Sequence, residues 1–364
     1  MNPRRQFLGK ATALAGVCFT GCGLLGAPGA RAQARRRVSV AGRRTKVIDV
    51  HAHVVMPEAL EVAGLKPGTS SATRRDLVLP ATLEQRLALM DAQGIDMEVL
   101  SVNPFWYAMD RDRAARICEI QNEKLAELCA KNPERFAGFA SVALQFPELA
   151  LEQLEQGLKK YGLRGAAIGG SVESLELSNA KFHPFWAKVE ALGVPVFIHP
   201  QVEGATRDLG KRLEGNGHLG NAIGYPAETT IALSHLIFDG TLDRFPALRI
   251  IAAHGGGFLP SYAGRFEAAC PSRPVACAGG TYGSIRKKPS EYLRQLYYDT
   301  MVFSAEGLRH LAAEVGASQL MLGTDTPFPW TKTAVDHVLT TPELSDADKA
   351  AILEGNAARV LGLT

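Results

Sequence analysis

The chain has few of the features that define several common classes of protein. It contains six cysteines in 364 residues and no CxxC pair, so a zinc site built from cysteines is not expected. No GxGxxG turn follows an apolar run, which argues against a dinucleotide-binding sheet. Internal repeats and low-complexity segments are also absent after Arg37. These absences favour one ordinary globular domain.

Four of the cysteines lie beyond residue 32, and one pair among them could form a disulfide bond. Cys118 and Cys129 lie on one predicted helix, about 16 Å apart at 1.5 Å per residue, which is too far for a bridge. Cys270 and Cys277 flank a proline-rich turn, and an oxidising compartment would allow a bridge between them. Free buried thiols are the preferred interpretation, and the bridge is the alternative.

The first 32 residues contain no acidic side chain and resemble an export signal. Residues 4–10, RRQFLGK, match the twin-arginine signature, and the small, apolar stretch 11–25 is shorter than the roughly 20 residues that span a bilayer. Residues 30–32, Ala-Arg-Ala, offer a cleavage site. We therefore predict a twin-arginine signal over 1–32, a mobile linker over 33–45 and a periplasmic mature protein. An uncleaved N-terminal anchor is the alternative.

The positive charge of the chain lies largely in this signal. The formal net charge of +3 becomes −1 when the four basic residues Arg4, Arg5, Lys10 and Arg31 are removed. Without a basic patch, we expect no nucleic-acid partner and no membrane partner after cleavage. The remaining residues, 46–364, fit one large α/β barrel better than two small domains.

Apolar runs and amphipathic segments alternate along these residues. Such alternation predicts parallel strands, and eight units predict a closed (β/α)8 TIM barrel, with an open doubly wound sheet as the alternative. Long insertions follow the first and fifth strands, at 57–80 and 201–225. The predicted strands are 46–50, 98–102, 136–141, 165–168, 195–199, 249–253, 296–299 and 319–323; the helices are 83–92, 113–131, 148–160, 184–191, 228–237, 259–269, 305–315 and 346–361.

Four of the apolar runs end in side chains that can bind a metal ion or move a proton. The first leads into His51 and His53, and later runs lead into His199, His254 and Asp325. Alternate residues of a strand face the same side, so His51 and His53 can both face the barrel mouth. Because the C-terminal ends of barrel strands converge, we predict that the five groups meet at one metal site.

Each of these residues alone has an ordinary structural explanation. His199 could be a core histidine, Asp325 a helix cap ahead of Pro327, and His254 a marker of the glycine turn that follows it. The joint pattern decides, because three imidazoles and a carboxylate, with a fourth imidazole nearby, suit zinc, manganese or iron. We predict one divalent ion, zinc, with manganese as the alternative. One histidine off the metal could then move protons.

The motifs around these residues resemble the amidohydrolase superfamily, and within it the 2-amino-3-carboxymuconate-6-semialdehyde decarboxylase group. The resemblance implies His51, His53, His199 and Asp325 as ligands of one ion, with His254 beside them as the acid/base. Two-metal members carry a carboxylated lysine at the end of the fourth strand, which residues 166–170, AAIGG, lack. The similar stretches are IDVHAH (48–53), FIHP (197–200), ETTIAL (228–233), AHGGG (253–257) and LGTDTPFP (322–329).

The resemblance also implies two arginines that bind a substrate carboxylate. Arg265 matches a family arginine that reaches the neighbouring subunit's site, which implies a homodimer. Arg74, in the first insertion, matches a second such arginine, and Arg75 is its rival. A solvated surface arginine is the alternative for both positions. The family places an aromatic residue after the His-Pro of the fifth strand, whereas Gln201 stands there in this chain, so the exact substrate does not carry over.

These inferences predict a metal-dependent, non-oxidative decarboxylase that acts on a small aromatic or unsaturated carboxylic acid. His254 and Asp325 would be the catalytic, proton-moving groups, and an arginine would hold a carboxylate in two-point contact. A hydrolase of a lactone, amide or ester is the first alternative, since it needs the same ligands and base. A non-catalytic periplasmic metal- or ligand-binding protein is the second, although it would have no use for His254.

Overall fold

The computed structural model describes residues 35–68, 73–79, 82–201, 209–272 and 285–363. Its parallel strands form a barrel and are labelled β1 to β8 in chain order. Each of the eight predicted strand–helix units is present in this part of the chain. The strands are Ile48–His53 (β1), Met97–Ser101 (β2), Phe136–Gly138 with Ala140–Ser141 (β3, interrupted at Phe139), Ala166–Gly169 (β4), Pro195–His199 (β5), Arg249–Ala252 (β6), Tyr297–Asp299 (β7) and Leu320–Met321 (β8).

Backbone hydrogen bonds run around the whole barrel. Each strand from β1 to β7 pairs in parallel with the strand that follows it. The ends of this sheet also meet, because the Val50 N–H donates to the Leu322 carbonyl over 2.9 Å and the Asp325 N–H donates to the His51 carbonyl over 2.7 Å. The sheet is therefore closed on itself, and the predicted (β/α)8 barrel is confirmed.

Helices follow the strands and end at the signals that the sequence carries. The longest helix begins after Asp110, whose carboxylate accepts the Arg113 N–H. The helix that precedes β2 ends at Gly94, which adopts the left-handed conformation with φ 80°. The helices are Pro57–Ala63, Leu83–Gln93, Arg111–Lys131, Pro147–Lys159, His183–Leu192, Tyr225–Phe238, Thr241–Arg244, Ala263–Ser272, Pro289–Leu293, Ala305–Val315, Ala334–Thr340, Asp346–Ala350 and Asn356–Leu361, the last two joined by the π-helical turn Ala351–Gly355.

The barrel interior is packed with apolar side chains below the strand ends. Phe139 and Phe197 stack there, with ring centroids 5.7 Å apart and an interplanar angle of 13°. Val360 and Leu361 of the last helix belong to the same buried cluster. A well-filled interior of this kind is a core rather than a pore, so the space for chemistry lies at the C-terminal ends of the strands.

The segments that follow β1 and β5 lie at those strand ends. Described elements in the first are the helix Pro57–Ala63 and the short turn Arg75–Leu77; in the second they are the turns Gly210–Leu213 and Gly220–Gly224. Loops on this side of a barrel usually form the active site. That the two segments are insertions relative to related proteins stays a prediction.

Residues 35–45 differ from the mobile linker that the sequence predicted. Ser39–Val40 and Arg43–Arg44 form an antiparallel ribbon, and Val38 and Val40 are 2% and 6% exposed. The Arg36 guanidinium also pairs with Asp336 at 2.5 Å. The linker prediction is therefore wrong for residues 35–45, because two valines among the basic side chains supply an apolar face that packs on the barrel.

Two other predictions concern parts of the chain that are not described. Residues 1–32, the predicted signal, lie outside the described residues, as does Cys277. The side chain of Cys270 is not described either, so the preference for free thiols over a bridge between these cysteines stays a prediction. Cys118 and Cys129 are free thiols, as their separation required. Among the described helices, none is both long and apolar enough to cross a membrane.

Candidate metal centre

The first two histidines lie on β1 and face the same side of the strand. Their ring centroids are 4.8 Å apart, and their Nε2 atoms are separated by 2.9 Å. Both residues are buried, with His51 at 0% and His53 at 1% exposure. The strand alternation that the HxH pattern predicted is therefore present, and it directs two imidazole nitrogens to one point.

Three more groups join this pair at the ends of other strands. The His199 ring, at the end of β5, lies 5.1 Å from the His51 ring and 4.6 Å from the His53 ring. The His254 ring, after β6, lies 5.1 Å from both His51 and His199. One ligand atom each from His51, His199, His254 and Asp325 lies within 4.8 Å of the others. The structure thus brings together all five groups that the sequence predicted.

Asp325 lies at the centre of this cluster. Its Oδ1 atom is 2.9 Å from His53 Nε2 and 3.2 Å from His51 Nε2, and its Oδ2 atom is 3.7 Å from His254 Nε2. Although Oδ1 is buried, it accepts no hydrogen bond from any described residue. Both ring nitrogens of buried His199 likewise lack a hydrogen-bond partner in the described part of the chain. Buried polar atoms without partners are costly, so this donor set fits a bound cation.

The protonation behaviour of the cluster agrees with this interpretation. Burial lowers the pKa of His53 to about 4 and keeps the pKa of His199 well below its usual value. Burial also opposes charge on His51, but the Asp325 carboxylate and the hydrogen bond with Asp299 raise its pKa to about 10. The two carboxylates therefore favour positive charge at this point, which a divalent cation supplies.

Asp299 at the end of β7 is a functional residue that the sequence reasoning missed. Its Oδ2 atom lies 2.6 Å from His51 Nδ1 and also accepts the His254 N–H over 2.8 Å, while Oδ1 accepts the N–H groups of Gly255 and Met301. A carboxylate on the far nitrogen of a ligand histidine fixes its ring and its tautomer. The signal was available, because Asp299 ends a predicted apolar run as the other five groups do.

A second buried network contacts β1 and the segment that leads to Asp325. Arg86 reaches into the barrel, where it donates to Glu98 and to the His53 carbonyl, each over 2.6 Å. Asp49 accepts from the Thr324 hydroxyl over 2.5 Å. Burial and nearby Glu98 raise the pKa of Asp49 to about 8. These contacts fix Asp49 and His53, two residues before and after His51, and Thr324, which precedes Asp325. The positions of the proposed ligands therefore depend on this buried network.

Two of the five groups also have a backbone conformation that is unusual for their residue type. His254 has φ 55° and Asp325 has φ 59°, both in the left-handed region. Such a conformation costs a non-glycine residue about 1–3 kcal/mol and persists where the surrounding structure imposes it. Here the strain aims both side chains at the cluster instead of along their strands.

Aromatic rings flank the cluster on two sides. The Tyr225 ring lies 6.3 Å from the His199 ring and 6.5 Å from the His254 ring. On the other side, the Phe328 ring lies 5.9 Å from His53. The mouth of the metal centre therefore has flat apolar walls, which suit a planar ligand.

The three candidate arginines occupy different environments. The Arg74 guanidinium lies 5.0 Å from the centre of the Phe328 ring and is held by Asp76, which raises the pKa of Arg74 through their hydrogen bond. Arg75 instead extends along Gly68. Arg265 is exposed on the helix Ala263–Ser272. Of these, Arg74 contacts Phe328, the ring that also lies 5.9 Å from His53.

Comparisons with known proteins agree with this geometry. A family model described as amidohydrolase matches residues 48–363. The chain is 32% identical to 2-amino-3-carboxymuconate-6-semialdehyde decarboxylase from Dictyostelium discoideum, over 76% of this chain and 76% of that protein. It is 31% identical to gamma-resorcylate decarboxylase from Rhodococcus jostii (strain RHA1), over 87% of this chain and 98% of that protein.

A solved structure is also similar. It is dihydroxybenzoic acid decarboxylase from Polaromonas sp. JS666, with bound manganese and the inhibitor 2-nitroresorcinol. The TM-score is 0.73 at 29% sequence identity, and the match covers 88% of this chain and 97% of that chain. Two observations therefore support a divalent metal site: the buried donor atoms without hydrogen-bond partners, and the similarity to a structure that contains manganese.

The contact between Asp299 and His51 makes a prediction about metal affinity. Replacing Asp299→Asn weakens the hydrogen bond that orients His51, so we expect the affinity for a divalent ion to fall about 10- to 100-fold. Competition with a chelator measures this change, and circular dichroism checks that the variant is folded. Asp243→Asn is the matched control, because Asp243 binds Tyr292 elsewhere in the fold. An Asp299→Asn protein with the affinity of the wild type would contradict the assignment.

Proposed function

The chain belongs to the amidohydrolase family, in the group of 2-amino-3-carboxymuconate-6-semialdehyde decarboxylase, and we propose that it is a metal-dependent, non-oxidative decarboxylase. Its substrate is a small aromatic or unsaturated carboxylic acid. The observation that carries the proposal is the buried convergence of four imidazoles and the Asp325 carboxylate on one point. The relatives named above are decarboxylases of such acids, and this chain shares the fold of the Polaromonas enzyme and 31–32% sequence identity with the other two.

We assign the metal ligands to His51, His53, His199 and Asp325. Three imidazoles and a carboxylate suit zinc and manganese, and the ion of the related Polaromonas structure is manganese. Zinc, the ion predicted from the ligand types, and manganese are therefore the two candidates. When bound, the ion supplies Lewis-acid polarisation of the substrate's oxygens.

His254 is the residue best placed to carry a proton beside these ligands. Its side chain is 12% exposed, so it can meet a substrate, and its Nε2 atom faces Asp325 Oδ2 at 3.7 Å. In decarboxylation the bond to the carboxylate carbon breaks, the electron pair remains on the substrate carbon, and a proton is delivered there. His254 and Asp325 together can hold that proton and move it.

Arg74 is our candidate for binding a substrate carboxylate. It lies over Phe328 at the mouth, and Asp76 fixes its orientation through two nitrogens. A guanidinium held in this way can bind a carboxylate through two parallel hydrogen bonds. Arg75 points along Gly68 instead, so the geometry favours Arg74 of the two.

We also propose that the protein is exported by the twin-arginine route and acts in the periplasm as a homodimer. Export is supported by the RRQFLGK motif and by the apolar, acid-free stretch that follows it. Recovery of the unprocessed protein from the cytoplasm of its own host would contradict export. The dimer is supported by exposed Arg265, which matches an arginine that acts in a neighbouring subunit.

The first test of the function measures release of CO₂ from 2,6-dihydroxybenzoate and related acids by metal-loaded protein. We expect His254→Asn to keep its metal but to lose about 10²- to 10⁴-fold in kcat, because a general acid/base contributes by that amount. His235→Asn is the matched control, since His235 pairs with Asp239 at the C-terminal end of the helix Tyr225–Phe238.

Three results would contradict parts of this proposal. Ester or lactone turnover without CO₂ would favour the hydrolase. Unchanged activity of His254→Asn with the metal still bound would remove the role of His254. An absence of any turnover by metal-loaded protein across aromatic and dienoic acids would favour the non-catalytic binder.

The role of Arg74 predicts an effect on substrate binding. Arg74→Ala should raise KM by about 10-fold or more, because it removes a charge-assisted contact with the carboxylate, and Arg74→Lys should restore only part of the loss. Arg75→Ala is the matched control and should leave KM close to the wild-type value. The opposite pattern would transfer the role to Arg75.

The role of Arg265 predicts complementation between subunits. Arg265→Ala and His254→Asn should each be poorly active, whereas a mixed dimer would combine an intact His254 site with an intact Arg265 from the partner. Co-expression of the two variants should therefore recover activity in about a quarter of the sites, because about half of the dimers are mixed and one site of each mixed dimer is intact. A monomeric mass in solution, or mixed protein with no recovered activity, would sink the proposal.

A further inference from the structure

The residue after the His-Pro of β5 has an unusual setting. Gln201 donates from Nε2 to the Pro104 carbonyl over 2.5 Å. Pro104 lies on the loop that follows β2, so the carboxamide spans the mouth from β5 toward β2. This hydrogen bond uses one amide hydrogen of Gln201 and leaves its Oε1 atom as an acceptor.

Gly169 on β4 makes this placement possible. A Cβ atom built on Gly169 would lie 2.6 Å from both Cδ and Oε1 of Gln201, which is closer than real atoms approach. The backbone of Gly169 is fixed, since its N–H donates to the buried Tyr107 hydroxyl over 3.3 Å. The carboxamide therefore occupies the position that a side chain at residue 169 would fill.

The register of the barrel shows which side this position is on. Gly169 pairs in parallel with His199, and paired residues of neighbouring parallel strands face the same side. His199 faces the metal cluster, so the side-chain position of Gly169 also faces the mouth. The Gln201 carboxamide consequently lies inside the mouth, beside the inward position of His199.

We propose that Gln201, in the space left by Gly169, is a specificity-determining residue that selects acids with a hydrogen-bond-donating substituent, a hydroxyl or an amino group. The inference rests on the proposed function, because it names a feature of the substrate at the same site. The Pro104 carbonyl holds the Gln201 carboxamide through Nε2. The Oε1 atom of Gln201 is therefore preorganised to accept a hydrogen bond from the substituent. A site built to hydrogen-bond a hydroxyl rejects an analogue that lacks it.

The test uses binding rather than turnover. Calorimetry on manganese-loaded protein gives Kd for 2-, 3- and 4-hydroxybenzoate and for the three matching fluorobenzoates, which have similar shape but cannot donate. In the wild type we expect at least one hydroxybenzoate to bind about tenfold more tightly than its fluoro partner. Gln201→Met should abolish that ratio and leave the Kd of the fluorobenzoate unchanged.

Gly169→Ala provides an independent variant that leaves Gln201 in the sequence. The new methyl group should displace the carboxamide and lower the hydroxyl-to-fluoro ratio as Gln201→Met does. In the double variant, Gly169→Ala should have no further effect on the ratio, because there is no carboxamide left to displace. Gln156→Met and Gly355→Ala are the matched controls, since Gln156 is exposed on the helix Pro147–Lys159 and a Cβ on exposed Gly355 would meet no atom within 4 Å.

The outcomes separate this inference from the proposed function. A wild type without preference for any hydroxybenzoate, or a Gln201→Met protein that keeps the preference, would overturn the role of Gln201 even if CO₂ is released. A Gln201-dependent preference without release of CO₂ from any acid would support the role of Gln201 and count against decarboxylation.

Discussion

One backbone hydrogen bond, from the Asp325 N–H to the His51 carbonyl, belongs both to the closure of the barrel and to the metal centre. It joins the first strand to the segment after the last, and it sets two of the proposed ligands next to each other. The strained φ of Asp325 is tolerated because this bond and the Thr324–Asp49 contact fix the chain on either side. The closure of the barrel and the placement of Asp325 beside the β1 histidines therefore depend on the same contacts.

The electrostatics of the centre follow from the same arrangement. Asp325 and Asp299 are both buried beside His51, and their pKa values stay below the usual value because imidazoles and backbone N–H groups offset the effect of burial. Two buried carboxylates require a positive partner. A divalent ion meets that requirement at the point where Asp325 Oδ1 and His199 lack hydrogen-bond partners among the described residues.

The sequence predicted the family, the barrel and the residues that meet at the strand ends, because parallel strands bring their C-terminal ends together whatever separates them in the chain. It missed the role of Asp299, although this residue ends a predicted strand, because the contact with His51 joins residues 248 positions apart. It also assigned residues 35–45 to a linker, since two valines between basic residues are too short a signal. The choice between Arg74 and Arg75 depended on an irregular loop, where no periodicity fixes the direction of a side chain.

The position of the proposed ligands along the chain has a consequence for biosynthesis. A chain still leaving the ribosome has its two β1 histidines early, whereas the strand that closes the sheet and Asp325 follow about 270 residues later. Until Asp325 has emerged, the histidines are without the carboxylate and the closed barrel that orient them. We therefore expect the complete donor set to bind its ion only in a chain whose β1 and β8 have already met.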